Sequence, residues 1–160
     1  MIFRNKQGAF TLVELLVASA ILATLAMIAV PVAELTIKRQ REAELKVALR
    51  TIRNGIDAYK QAVDTGKIVR NAVGTGYPKR LEDLVDGVEN QTDPERRKIY
   101  FLRRIPPDPF APLDGITPAE TWQLRSYASS AKNPVAGDDV YDVYSKAVGV
   151  GTNGLAYANW

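Results

Sequence analysis

The apolar residues of this chain are concentrated near its N-terminus. Of the 24 residues from 10 to 33, 19 are apolar, and the exceptions are Thr11, Glu14, Ser19, Thr24 and Pro31. A helix of this length extends about 36 Å, which is enough to cross a hydrocarbon layer about 30 Å thick. The pattern therefore predicts a transmembrane helix over residues 10–33.

Polar residues return after Ala33, and the pattern becomes amphipathic. Apolar side chains recur at gaps of four and three residues, at Leu45, Leu49, Ile52, Ile56, Tyr59 and Val63. This spacing puts them on one face of a helix. We predict that the helix continues through residues 34–65, that Gly66 caps it, and that the chain's own C-terminal part covers the stripe.

Residues 66–160 have a different pattern, with short elements separated by turns. A short helix is predicted over Arg80–Asp86, and strands over Trp122–Tyr127 and Val140–Ser145. The pattern of residues 97–105 does not distinguish helix from strand. The prolines that follow, at 106, 107 and 109, end any element formed there. The predicted fold is α+β, a lollipop in which a long N-terminal helix packs on a small head with a short antiparallel sheet.

The composition narrows the possible chemistry. The chain has no cysteine and no histidine, so disulfides, zinc sites built from Cys and His, and Ser-His-Asp triads are excluded. No catalytic residue is predicted. The net charge is +3, and basic residues alternate with acidic ones around residues 38–44. That alternation predicts a solvated helix face, not a nucleic-acid site.

Three interpretations compete for the apolar segment. A secretory signal peptide explains the basic start, in which Arg4 and Lys6 would stay cytoplasmic, but the hydrophobicity continues well past Ala20. A plain signal anchor explains the length but not Glu14, because a carboxylate within a span costs about 2.5–3.5 kcal/mol. If the chain were cut before Phe10, the new amine would lie four residues from Glu14 and could pair with it between neighbouring helices.

Residues 8–16, Gly-Ala-Phe-Thr-Leu-Val-Glu-Leu-Leu, resemble the class III signal of type IV pilins and pseudopilins. The resemblance implies that a prepilin peptidase removes residues 1–9 and N-methylates Phe10. Counted from Phe10, Glu14 is fifth and Pro31 is twenty-second, and both positions match the family. Ala9 stands where the family usually has glycine, so a cut between Gly8 and Ala9 is the alternative.

The same resemblance implies polymerisation. The apolar helices of many copies would form a filament core, and the amine of Phe10 would meet Glu14 of a subunit already in place. Pro31 has no N–H and removes one helical hydrogen bond. It either produces a tolerated kink or marks a stretch that unwinds when the subunit leaves the membrane, and we favour the second interpretation.

Further segments resemble the major pseudopilin of type II secretion systems. They are Tyr77-Pro78, residues 100–110 with their Pro-Pro-Asp-Pro run, residues 140–145 and Trp160. The resemblance implies a homopolymer, the periplasmic pseudopilus, anchored first in the bacterial inner membrane with the N-terminus cytoplasmic and the head periplasmic. Its implied partners are an assembly platform with a cytoplasmic ATPase, and minor pseudopilins.

Other functions remain as alternatives. A surface type IV pilin would more often carry a cysteine pair near its C-terminus, which this chain lacks. For a membrane-anchored enzyme the sequence offers no phosphate-binding loop or nucleophile elbow. An electron-carrying filament rests only on the presence of aromatic residues.

Many major pseudopilins bind calcium in the loop after the last strand. Calcium takes six to eight oxygen ligands, including carboxylates, and no acidic residue follows Asp142 here. We predict that this calcium site is absent, that no metal or other cofactor is bound, and that Tyr157 and Trp160 close the loop by packing into the head. The pair Asp138–Asp139 is interpreted as a solvated turn.

Overall fold

One long helix, α1, spans Leu12–Asp64 and continues through Pro31. The computed structural model describes residues 10–70, 74–112 and 114–160, so the predicted leader, residues 1–9, lies outside the described part. The chain divides after Gln40 into two units, and each is described by itself.

In the first unit, every side chain that the structure describes from Phe10 to Gln40, which leaves out that of Ile28, is exposed. An 18-residue window of α1 reaches a mean hydropathy of 2.5, and none of it is buried. By length and composition, α1 is long and apolar enough to cross a membrane. Within the described part of this unit, no other residues cover these side chains.

In the second unit, α1 contributes its amphipathic stripe to the hydrophobic core. The six predicted stripe residues, Leu45, Leu49, Ile52, Ile56, Tyr59 and Val63, are at most 6% exposed. They pack with residues of the C-terminal part, among them Leu81, Leu84, Trp122, Val140, Val143 and Tyr157. The prediction that the chain covers its own stripe is confirmed.

The C-terminal end of α1 is closed by backbone hydrogen bonds around a glycine. Gly66 has a φ of 73°, a conformation that glycine adopts without strain. Its N–H donates to the carbonyl of Val63 (3.0 Å), and the N–H of Lys67 donates to the carbonyl of Ala62 (2.9 Å). This pair of bonds is the Schellman motif, and it confirms Gly66 as the helix cap.

The helix predicted over Arg80–Asp86 is shorter in the structure, where α2 spans Asp83–Asp86. The carboxylate of Asp83 accepts a hydrogen bond from the backbone N–H of Arg80 (3.0 Å). This bond fixes the residues before α2 as a turn. Strands β1 (Val88–Glu89) and β2 (Lys98–Ile99) follow as an antiparallel pair.

The two predicted strands are present and pair with each other. Strand β3 spans Trp122–Arg125 and β4 spans Asp142–Ser145, antiparallel from Trp122↔Ser145 to Arg125↔Asp142. Single 3₁₀ turns lie at Ala119–Thr121 and Tyr157–Asn159. The α+β class is confirmed, with two two-stranded sheets in the described residues where one was predicted.

Candidate functional site

Glu14 lies in the first turn of α1, where it completes a reciprocal cap. Its Oε2 accepts hydrogen bonds from the backbone N–H (2.9 Å) and the hydroxyl (3.0 Å) of Thr11. The N–H of Glu14 in turn donates to the Thr11 hydroxyl oxygen (3.2 Å). This is the capping box, in which an N-cap threonine and a glutamate three residues later each satisfy a free N–H of the helix start.

The cap uses only one oxygen of the carboxylate. Within the described residues Oε1 of Glu14 accepts no hydrogen bond, and the side chain is exposed. Phe10 directly precedes the cap and is 83% exposed. The two residues predicted to act in assembly, Phe10 and Glu14, therefore lie at the same end of α1, with one carboxylate oxygen left for a partner.

Pro31, the third predicted assembly residue, is not part of this group. It lies 17 residues after Glu14 in the same helix, about 26 Å away along the axis at 1.5 Å per residue. The helix is continuous across it. The interpretation of Pro31 as a point of unwinding stays a prediction.

Thr117 and Glu120 repeat the reciprocal bonding in the second unit. Oε2 of Glu120 accepts hydrogen bonds from the backbone N–H (2.6 Å) and the hydroxyl (2.9 Å) of Thr117, and the N–H of Glu120 donates back (3.4 Å). These bonds, from the backbone first and the hydroxyl second, lower the pKa of Glu120 from its ordinary value. The same Thr-x-x-Glu spacing thus makes the same set of hydrogen bonds in both units, although here Pro118, not Thr117, is the N-cap of the following 3₁₀ turn.

The capping role of Glu14 was missed by the sequence reasoning above. Thr11-Leu12-Val13-Glu14 has the Thr-x-x-Glu spacing that predicts a capping box before an apolar helix. The prediction considered only the charge of Glu14 and not its capacity to accept hydrogen bonds. The structure adds Thr11 to the residues that form the site.

A family described as the prokaryotic N-terminal methylation motif matches residues 4–30. The match includes the whole capping box and most of the apolar stretch. It indicates a type IV pilin-like protein. No curated protein and no solved structure matches the chain.

The match supports the coarser part of the predicted function, a type IV pilin or pseudopilin subunit. For a pilin-like chain, the motif implies processing by prepilin peptidase and polymerisation into a filament. Proteins of this kind are structural subunits and not enzymes. The exposed apolar helix and the motif together fit a membrane-anchored subunit.

The loop after β4 is where the resemblance to major pseudopilins implies calcium. Three of its backbone carbonyls already accept hydrogen bonds within the loop: Gly149 from Tyr157, Gly151 from Gly154, and Leu155 from Gly151. Residues 146–160 contain no acidic side chain. Because calcium needs several free oxygens and compensating negative charge, the donor set of this loop does not fit the ion. The absence of the family's calcium site stays a prediction.

The three acidic residues before this loop, Asp138, Asp139 and Asp142, do not form a group of metal ligands among the described residues. Asp139 is 3% exposed and accepts a hydrogen bond from the backbone N–H of Tyr127 (2.9 Å). The interpretation of Asp138–Asp139 as a solvated turn is therefore wrong for Asp139, because the strand-connecting segment folds over it. Asp142 pairs with Arg53 (2.7 Å). Among the described residues, no three metal-ligating side chains form a group.

Proposed function

We propose that this chain is a structural subunit that polymerises through residues 10–33 into a periplasmic pseudopilus, and that it helps export folded proteins by type II secretion. The observation that carries the proposal is the apolar N-terminal segment. Its described side chains are exposed, and it has a single carboxylate, Glu14, of which one oxygen accepts no hydrogen bond from the described residues.

Exposed apolar side chains of this kind need a cover in both of their environments. Phe10, Leu12, Leu16 and Leu22 are 61–83% exposed, and burying one such side chain gains about 1.5–3 kcal/mol. Lipid supplies the cover while the subunit is in the membrane. When the subunit leaves the membrane, the same segment of other copies can supply it.

Glu14 gives the packing of these segments a fixed register. A carboxylate in an apolar filament core is costly unless it is paired. Removal of residues 1–9 would create an amine at Phe10, and the amine of an incoming copy can pair with the free Oε1 of Glu14 in the copy before it. A copy shifted along its neighbour would leave both charges unpaired.

The secretion pseudopilus is preferred to a surface pilus because of contacts in the second unit. The Pro-rich segment quoted for the resemblance contains Asp108, which is 1% exposed and accepts a hydrogen bond from the Ser145 hydroxyl (2.6 Å). The N–H of Asp108 donates to the Thr121 hydroxyl (3.0 Å). Two of the segments that carry the pseudopilin resemblance, residues 100–110 and 140–145, are thus joined by a buried hydrogen bond, and the chain has no cysteine pair.

The proposal includes a membrane stage with defined partners. Prepilin peptidase would cut between Ala9 and Phe10, or alternatively between Gly8 and Ala9, and would N-methylate the new first residue. Before assembly the subunit would span the inner membrane once, with its N-terminus cytoplasmic and residues 66–160 periplasmic. An assembly platform with its ATPase would extract it, and minor pseudopilins would complete the filament.

Deleting the gene tests the choice between the two filaments. We expect export of folded proteins to stop while surface piliation and motility are unchanged, and re-expression of the chain should restore export. Loss of surface filaments with normal export would instead identify a surface type IV pilin.

Mass spectrometry of the mature chain tests the processing step. The expected N-terminal peptide begins with N-methyl-phenylalanine at Phe10. A peptide that begins with N-methyl-alanine at Ala9 would instead place the cut after Gly8, and Glu14 would then be the sixth residue of the mature chain.

A further inference from the structure

Glu42 is a buried carboxylate in the second unit, on α1. It is 4% exposed. Its Oε1 accepts hydrogen bonds from the backbone N–H of Thr152 (2.9 Å) and from the Tyr157 hydroxyl (3.0 Å), and its Oε2 accepts one from the Thr152 hydroxyl (2.5 Å). One side chain of the helix therefore holds two points of the loop after β4, 110 and 115 residues later in the chain.

The hydrogen bonds to Glu42 belong to a strong class, because a carboxylate is their acceptor. Hydrogen bonds to an ionised acceptor are roughly twice as strong as neutral ones, and a buried carboxylate without them is heavily penalised. Burial first, and then the hydrogen bond and charge of Glu42, raise the pKa of the Tyr157 hydroxyl. Tyr157 thus stays protonated and remains a donor across the physiological pH range.

The loop is closed around these contacts. Val150 and Ala156 form an isolated antiparallel bridge, which draws the two ends of the loop together. A side chain on Gly151 would come within 2.2 Å of the Trp160 ring, and the Tyr157 and Trp160 rings lie 5.3 Å apart. The predicted packing of the two aromatic residues against the loop is present, and the Tyr157 hydroxyl reaches the buried carboxylate.

A second side chain of α1 holds the end of the same segment. Arg53 donates to the backbone oxygens of Val143 (3.2 Å) and Trp160 (2.8 Å) and pairs with Asp142. Glu42 and Arg53 thus fix the loop from two points of one helix. All of these contacts lie within the second unit.

The polarity of this arrangement is the reverse of that in a calcium loop. A calcium loop directs oxygen atoms at a cation, whereas this loop directs an N–H and two hydroxyls at an anion. We propose that Glu42 anchors the loop in place of a metal ion, so that neither the fold of the loop nor the stability of the second unit depends on calcium. The proposal concerns the folded chain alone and does not rest on polymerisation.

The test is thermal unfolding of the full chain in detergent, with calcium and with a chelator. We expect the same melting temperature in both conditions. Glu42→Ala should lower it by roughly 5 °C or more, whereas Glu44→Ala, which removes an exposed carboxylate from the same helix, should change it by less than about 2 °C.

A milder pair of variants covers the case in which Glu42→Ala does not fold. Thr152→Val and Tyr157→Phe each remove one hydroxyl donor and keep the shape of the side chain. Each should lower the melting temperature, and this can be measured even if Glu42→Ala does not fold. If Glu42→Ala does fold, combining it with either variant should cost less than the sum of the single effects, because both changes remove the same interaction.

Two outcomes would overturn the proposal. One is a rise of several degrees on adding calcium to the unaltered chain, since a ligand that binds the folded state raises its melting temperature. The other is equal behaviour of the Glu42 and Glu44 variants, together with unchanged stability in Thr152→Val and Tyr157→Phe.

Discussion

The two parts of α1 use apolar side chains in opposite ways. From Leu12 to Ala33 the described side chains are exposed and apolar residues occupy all faces, whereas from Arg41 to Asp64 most of the apolar residues form one stripe that is buried by the chain itself. The stripe fits a single partner surface. Apolar residues on every face need surroundings that are apolar in every direction, which lipid or several neighbouring copies provide.

This difference tells us which interactions each part depends on. The stripe determines whether the second unit folds, and its contacts are complete within one chain. In the proposed function, the N-terminal part acts in a membrane and then in a polymer. Mutations in the two parts should therefore have separable effects.

The largest separable effect is expected from Glu14→Ala. The variant should still insert into the membrane, because it makes the apolar stretch more hydrophobic, but filament growth should stop without the carboxylate that pairs with the Phe10 amine. Membrane fractionation and electron microscopy of filaments measure the two outcomes. Glu34→Ala, which changes a carboxylate outside the apolar stretch, serves as the control, and normal filaments from Glu14→Ala would disprove the pairing.

Removing a stripe residue should instead act on folding. Ile52 is fully buried, so Ile52→Ala should reduce the free energy of unfolding of the second unit by about 2–5 kcal/mol. Denaturant titration of the full chain in detergent measures this. The matched variant Leu22→Ala, at a 66% exposed position, should change it by less than about 0.5 kcal/mol. Equal losses from both variants would remove the distinction between the two parts of α1.

A smaller effect is expected at the C-terminal end of α1. Gly66→Ala should cost about 1–2 kcal/mol, because an alanine at a φ of 73° is strained. Nothing lies within 4 Å of the added carbon, so the backbone alone causes the loss. Gly66→Asn should cost less, since asparagine tolerates this conformation. Equal losses from the two variants would point to a cause other than the backbone.

The smallest effect concerns the hydrogen bonds between Thr117 and Glu120 in the second unit. Because hydrogen bonds lower the pKa of Glu120 in the folded state, the stabilisation is present above its ordinary pKa of 4.5 and is lost as the pH falls through the lowered value. Titration of the Glu120 carboxyl by NMR should give a value below 4.5. Thr117→Val, which removes the hydroxyl, should raise it part of the way, and an unchanged value would exclude the hydroxyl as a cause.

The regular parts of the fold were predictable from sequence because their signals are periodic or local. The stripe from Leu45 to Val63, the cap at Gly66 and the pairing segments of β3 and β4 follow from spacing and residue type. Strands β1 and β2 have two residues each, too few for any periodicity. Their pairing depends on tertiary contacts that a local pattern does not contain.

The candidate site was predicted in part for the same reason. Phe10 and Glu14 lie in the stretch that matches the N-terminal methylation motif, and their roles in assembly stay predictions. The Thr-x-x-Glu spacing indicates the capping role of Thr11, but the sequence prediction did not include it. The contact between Glu42 and Thr152 spans 110 residues, and in sequence Glu42 is one of several acids in a charged run, so nothing local distinguishes it from the exposed Glu44.

The capping box at the start of α1 has a consequence for maturation. Its bonds involve only Thr11 and Glu14, so removal of the leader before Phe10 would leave them unchanged. Processing would then add a positive charge beside a helix end that is already formed, and no refolding would be needed. The newly cut subunit would be ready for assembly at once, and the peptidase would control only when the charge becomes available.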